Sequence, residues 1–300
     1  MGQYQRLLLI ADPAMRHSAA LQRAAALAVA SGAALHIVAF VEPFATLPLL
    51  DKSIQEKTRE SYLQEHREWL ADEAGLLRSK GLKVTTEAVW TNQTLQEILL
   101  HVAEMQPDLL IKDLQHEPLL KRAFITPLDW HLLRECPVPV HLVGEAGNPL
   151  PRRVVAAVDP AHPETQISGL NQRIVQAANG LALQCNAELH LLHTYDLTPA
   201  YLSNAGSGTV TWGGDFVEDL RNALQSAFNA LADDFGVPAE RRHFILGSPI
   251  TAIADFAVQQ QMDVIVMGTV HRQGLSKLIG STTEHVLYQG PSSILAVKAQ

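Results

Sequence analysis

Short apolar runs alternate with stretches of helical spacing along all 300 residues of the chain. In the first half, apolar or β-branched runs bounded by turn formers predict strands at Arg6 to Ala11, Ala34 to Val41, Lys83 to Trp90, Asp108 to Lys112 and Val138 to Val143. Between them lie an Ala-rich stretch from Ser18 to Ser31, a long charged one from Gln55 to Lys80, and a short one from Leu128 to Glu135. Thr94 to Glu104 carries Leu95, Ile98, Leu99 and Val102 on one helical face. The second half repeats the order. Strands are predicted at Val154 to Val158, Glu188 to Thr194, Arg242 to Leu246, Asp263 to Met267 and Ser293 to Lys298. Helices are predicted near Asn171 to Gln184, Phe216 to Phe235, Pro249 to Gln260 and Thr282 to Gln289.

Strict strand and helix alternation implies parallel strands, because each parallel connection must cross the sheet and a helix is the usual crossover. The predicted fold is therefore α/β: two tandem doubly wound, Rossmann-like domains, each an open five-stranded, mostly parallel sheet with helices on both faces. The duplication is visible in the first strands, where RLLLIADP (residues 6–13) returns as RVVAAVDP (residues 153–160). GEAGNPLPR (residues 144–152) is rich in Gly and Pro and reads as the linker, placing the domains at 1–147 and 152–300. A Gly-rich stretch, Ser203 to Gly214, reads as a long loop, either a surface excursion or a ligand lid.

Composition narrows the function classes. A formal charge of -8, from 31 acidic and 23 basic residues without a basic cluster, argues against a nucleic-acid surface. No apolar run approaches the ~20 residues that span a bilayer, and the first residues lead directly into a strand, so a cytoplasmic address is expected. Cys136 and Cys185 lie one in each half, without metal-like spacing, and suit buried positions in a reducing compartment. The 13 histidines are scattered, and no metal site is expected from them. His190 and His193, three apart on a strand, should face opposite sides of the sheet.

Candidate chemistry concentrates after the fourth strand of the second half. From Gly268 and Thr269 the chain runs through Gly274 to Gly280, Ser281 and Thr282, where a helix is predicted to start. A glycine loop leaving the carboxyl end of a parallel strand is where doubly wound folds hold ligands. Backbone N–H groups at the helix start, with the Ser281 and Thr282 hydroxyls and the charges of Arg272 and Lys277, suit a phosphate. Gly268 and Gly274 are expected to supply positive φ angles. The same residues also suit a tight connection with an ordinary helix cap. The corresponding stretch of the first half, DLQHEPLLKRAFIT (residues 113–126), has no glycine, and Asp113 and Glu117 should repel phosphate there. Asp129, Trp130 and His131 suggest a dyad, but helix capping by Asp129 and packing of Trp130 explain them more simply. Asp12 before Pro13 is expected to open a turn; Asp159 before Pro160 fits a turn or a ligand contact.

Through these residues the chain resembles the universal stress protein family in both halves. The shared features are a first strand ending in Asp12 or Asp159, a loop after the fourth strand, and a last strand after CPVPVHLV (residues 136–143) or GPSSILAV (residues 290–297). The tandem arrangement, with FITPLDWHLLR (residues 124–134), is similar to the E-type subgroup. The resemblance implies the family fold, a non-enzymatic stress-response role, and in nucleotide-binding members a Gly-x2-Gly-x9-Gly-Ser/Thr loop around ATP phosphates, with the strand-end Asp near adenine or ribose. Here Gly268 and Gly280-Ser281 match, whereas His271 stands at the second glycine and the following gap is one residue short.

The expected function is a binding module whose first half is a structural partner and whose second half carries the ligand site: Asp159, Gly268, Thr269, Gly274, Gly280, Ser281 and Thr282, with ATP as the candidate ligand. One alternative keeps the fold but holds a non-nucleotide metabolite under the 203–214 loop. A lower alternative is a weak nucleotide hydrolase, although the chain offers no general base beside the loop and no acidic pair for Mg2+. Partners beyond a small molecule are expected to be intramolecular, through the apolar last strands Val138 to Val143 and Ser293 to Val297, with a homodimer also open.

Overall fold

A computed structural model describes residues 4–114, 128–144, 148–160, 169–196, 214–269, 283, 286 and 292–298. The chain divides into two compact units, Gly2–Leu150 with Ser293–Leu295, and Pro151–Ser292 with Ala296–Gln300. In the first unit the strands are β1 (Arg6–Ile10), β2 (Ala34–Val41), β3 (Val84–Trp90), β4 (Leu109–Asp113) and β5 (Val140–Val143). They lie in the order β3-β2-β1-β4-β5 with parallel ladders throughout. The helices are α1 (Ala19–Ser31), α2 (Lys52–Ser79), α3 (Thr94–Met105) and α4 (Leu128–Glu135).

The second unit repeats this plan. The strands of the second half, β6 (Arg153–Ala157), β7 (Glu188–Tyr195), β8 (Arg242–Leu246), β9 (Val264–Thr269) and β10 (Ser293–Lys298), follow the order β10-β9-β6-β7-β8. β6 pairs in parallel with β7 and β9, and β7 with β8. Its helices are α5 (Leu170–Cys185), α6 (Gly214–Asp234) and α7 (Pro249–Gln259). The central strands are continuous apolar runs: Leu7 to Ile10, Leu109 to Ile111, Val154 to Ala156 and Val264 to Met267 are buried at every position. Helices cover both faces of such strands, so neither face can be polar.

Local chemistry sets the helix ends that position the site. Ser18 caps α1, its Oγ accepting the Leu21 N–H at 3.3 Å, and Gly32 ends it at φ 70°. Three sequence expectations change. Gly268 and Thr269 belong to β9 rather than to the loop, and Gly268 has no positive φ. Asp129 lies in the first turn of α4, with its carboxylate 2.8 Å from the Lys112 ammonium, a buried ion pair that the sequence did not suggest. Cys136 is buried as expected, but Cys185 is half-buried at the end of α5. His190 and His193 do face opposite ways: His190 stacks on His243, and His193 on Phe228.

Candidate functional site

In each unit the strand order reverses between the first and fourth strands, and their carboxyl ends define the crevice where doubly wound folds hold ligands. In the second unit Asp159 follows β6 and is exposed. Its backbone is clasped by Asn171 in the first turn of α5. The Asp159 N–H donates to Asn171 Oδ1 at 3.0 Å, and Asn171 Nδ2 donates to the Asp159 carbonyl at 2.8 Å. Asn171 is buried, so the clasp fixes the strand end against the helix start.

Gly268 is required by packing. A β-carbon there would stand 2.6 Å from Leu170 Cδ2 and 3.1 Å from Ile174 Cδ1, inside contact distance for both. The missing side chain thus lets α5 close on β9. Thr269 is buried, and its hydroxyl has no hydrogen-bond partner among the described residues. Thr283 returns to the strand, its hydroxyl donating to the Gly268 carbonyl at 3.3 Å, so the chain that leaves after Thr269 is tied back where it began. The candidates Gly274, Gly280, Ser281 and Thr282, along with His271, Arg272, Lys277 and most of the 203–214 stretch, lie outside the described residues.

The first unit fills the same positions differently. Register places Leu109 beside Leu7 and Val264 beside Val154, which makes Asp113 the counterpart of Gly268. Asp113 Oδ1 accepts the Ala20 N–H at 2.9 Å, at the start of α1. Burial raises the Asp113 carboxyl above its ordinary pKa, and hydrogen bonds from Ser18 and Ala20 oppose that rise. A helix N-terminus is a ready anion site, and here the protein's own carboxylate takes it. Asp12 opens a turn, its Oδ1 accepting the Ala14 N–H at 2.7 Å, and it pairs with Arg16 at 2.6 Å. Asp129 and His131 are directed to different partners, Lys112 and Glu135 respectively, so no dyad forms.

The profile of the universal stress protein family matches residues 3–144 and again residues 151–298. The chain belongs to the universal stress protein family. It is 29% identical over 303 residues to Universal stress protein E of Escherichia coli K12, covering 99% of this chain and 95% of that one. It is 30% identical to Universal stress protein E of Photorhabdus laumondii, covering 99% and 96%. A functionally unknown protein from Pseudomonas aeruginosa PAO1 superposes with a TM-score of 0.74 at 26% identity, covering 99% of this chain and 93% of that one. The universal stress protein described here is therefore of the tandem, E type.

Histidine clusters lie elsewhere in this universal stress protein, against the outer strands of each unit. In the first unit Glu87 Oε2 lies 3.4 Å from His101 and 3.9 Å from His36. In the second, His190 Nδ1 lies 3.0 Å from His243 Nε2, and Phe256 packs on His243 at 4.5 Å. Burial lowers His36 and His190, and it pushes His243 down to about 4 with help from His190. Among the described residues no three ligand-type side chains are grouped to hold a metal ion, and no helix is long and apolar enough to cross a membrane.

Sequence reasoning missed Asn171, Thr283 and the capping role of Asp113. Asn171 was visible as an Asn at a helix start. Asp113 required the two repeats to be compared, Asp113 bonded to the Ala20 N–H against Gly268 packed on Leu170.

Proposed function

We propose that this tandem universal stress protein is a stress-response binding module, without turnover of its own, that holds one adenine nucleotide in the second unit, with ATP as the candidate. The observation that carries this reading is the difference between equivalent positions: Asp113 caps α1 in the first unit, whereas Gly268 and Leu170 leave no acid at that place in the second. An anionic ligand is disfavoured beside the first and tolerated beside the second. The buried Thr269 hydroxyl, without a partner among the described residues, supports a polar ligand group near the end of β9. In this reading the backbone of Gly280, Ser281 and Thr282 and their hydroxyls hold phosphate at a helix start. Asp159 contacts the nucleoside, and Gly268 acts by letting α5 close. Gly274 gives the loop freedom to approach.

The test is to purify the protein gently, denature it and identify the released small molecules by mass spectrometry, beside an Asp159→Ala, Gly280→Val variant. ATP or ADP from the wild type and none from the variant supports the proposal. A different metabolite, still released by the variant, favours the non-nucleotide reading that the His271 departure allows.

A further inference from the structure

At the amino ends of β1, β2 and β3, opposite the crevice described above, the first unit contains a cavity of about 400 Å3. This falls within the ~300–1,000 Å3 of pockets that take small organic ligands. Leu35, Leu82, Val84, Met105 and Pro107 give it a largely apolar wall. Its lining also includes three basic side chains, Arg6, Arg78 and Lys83. Arg78 holds its place by donating Nε and Nη2 to the Val84 carbonyl at 3.0 and 2.8 Å. The nearby acid, Asp108, accepts the backbone N–H groups of Gln5 and Arg6 at 2.7 and 2.8 Å. His36 and Thr85 form a polar pair in the lining, 2.7 Å apart.

The duplicated unit supplies an internal control. Asp263 there accepts the backbone of Arg152 and Arg153 as Asp108 accepts that of Gln5 and Arg6, so the two scaffolds agree. The charges do not. Arg153 is registered beside Glu188, whose carboxylate lies 3.6 Å from both Arg153 and Arg241. Arg6 is registered beside Ala34. The first unit therefore keeps Arg6, with Arg78 and Lys83 also in the lining, and lacks the glutamate that lies beside Arg153, the counterpart of Arg6.

We propose that this cavity binds an organic anion with an apolar body, a carboxylate carried on a short aliphatic chain. The chain occupies the leucine-, valine- and methionine-lined wall, and the carboxylate takes the place that Glu188 fills in the second unit. An inorganic anion lacks the apolar part, and a neutral alcohol lacks the charge.

The full chain is titrated with octanoate, octanol and inorganic phosphate by isothermal calorimetry. Saturable binding of one octanoate is expected, with octanol and phosphate each at least ~10-fold weaker. Ala34→Glu, which installs the missing acid, is expected to weaken octanoate at least ~10-fold without altering the thermal midpoint. Should that variant misfold, Lys83→Glu at an exposed position carries the same expectation. No saturable octanoate binding, equal binding by folded Ala34→Glu or Lys83→Glu, or octanol or phosphate binding as tightly as octanoate overturns the proposal.

Discussion

Ala20 donates its backbone N–H to the Asp113 carboxylate at 2.9 Å, closing the start of α1 with an acid that the second unit replaces by Gly268. The carboxyl is raised by burial, so the folded protein binds its proton more tightly than the unfolded chain does. That contribution to stability is complete below the ordinary carboxyl range and is lost as pH rises through the raised value. Asp113→Asn keeps an acceptor and removes the charge. Urea unfolding at pH 3.5 and pH 7 is expected to show the asparagine variant gaining on the wild type as pH rises. Asp113→Ala, which loses the acceptor, is expected to cost about 1 kcal/mol at pH 3.5 and less at pH 7.

Gly268 is expected to tolerate no side chain while Leu170 is present. Gly268→Ala should destabilise the second unit by about 1–3 kcal/mol through overpacking. Adding Leu170→Ala should recover part of that loss, which a double-mutant cycle in urea will show as coupling between the two sites. Additive effects would mean that the glycine is needed for some other reason.

Most of the fold was legible because it depends on local pattern. The apolar runs that became β2, β8 and β10 have the bounds that their turn residues suggested. α4 likewise covers Leu128–Glu135. The site was less legible, because its contacts depend on register and on the approach of a helix. Gly268 looked like a conformational glycine, and only the position of Leu170 shows that space is the constraint. Asp113 looked like a repulsive charge, and only the position of Ala20 shows it to be a cap. Asp129, two residues from His131, pairs with a lysine on the neighbouring strand that no local window contains.

That lysine pair gives a further test. Lys112 and Asp129 are both buried, with side-chain exposures of 6% and 0%. Lys112→Met alone removes the cation beside a buried carboxylate and is expected to cost about 3–5 kcal/mol. The double variant Lys112→Met, Asp129→Leu should recover most of it, read from chemical denaturation of the full chain. A single variant as stable as wild type would show that the pair has no structural weight.

His141 sets an acid limit on the first unit. It is fully buried, and burial beside the Arg23 guanidinium lowers its pKa from 6.5 to about 3. Arg23 Nη1 donates to His141 Nε2 at 3.0 Å, so the neutral ring carries its proton on Nδ1. The unfolded chain takes up a proton near 6.5 and the folded one does not until about 3, so stability falls as pH drops between those values. Each pH unit within that window removes about 1.4 kcal/mol. His141→Gln is expected to make the acid limb shallower by one proton, measured as the pH slope of unfolding free energy from pH 6 to pH 4. An unchanged slope would mean that His141 titrates normally.

In the proposed function one unit of the tandem binds a nucleotide and the other does not. Calorimetric titration of the ligand-stripped full chain with ATP measures this directly, by stoichiometry. One site per chain is expected, abolished by Gly280→Val and retained by Asp113→Asn. Two sites per chain, none, or a single site that survives Gly280→Val would contradict it.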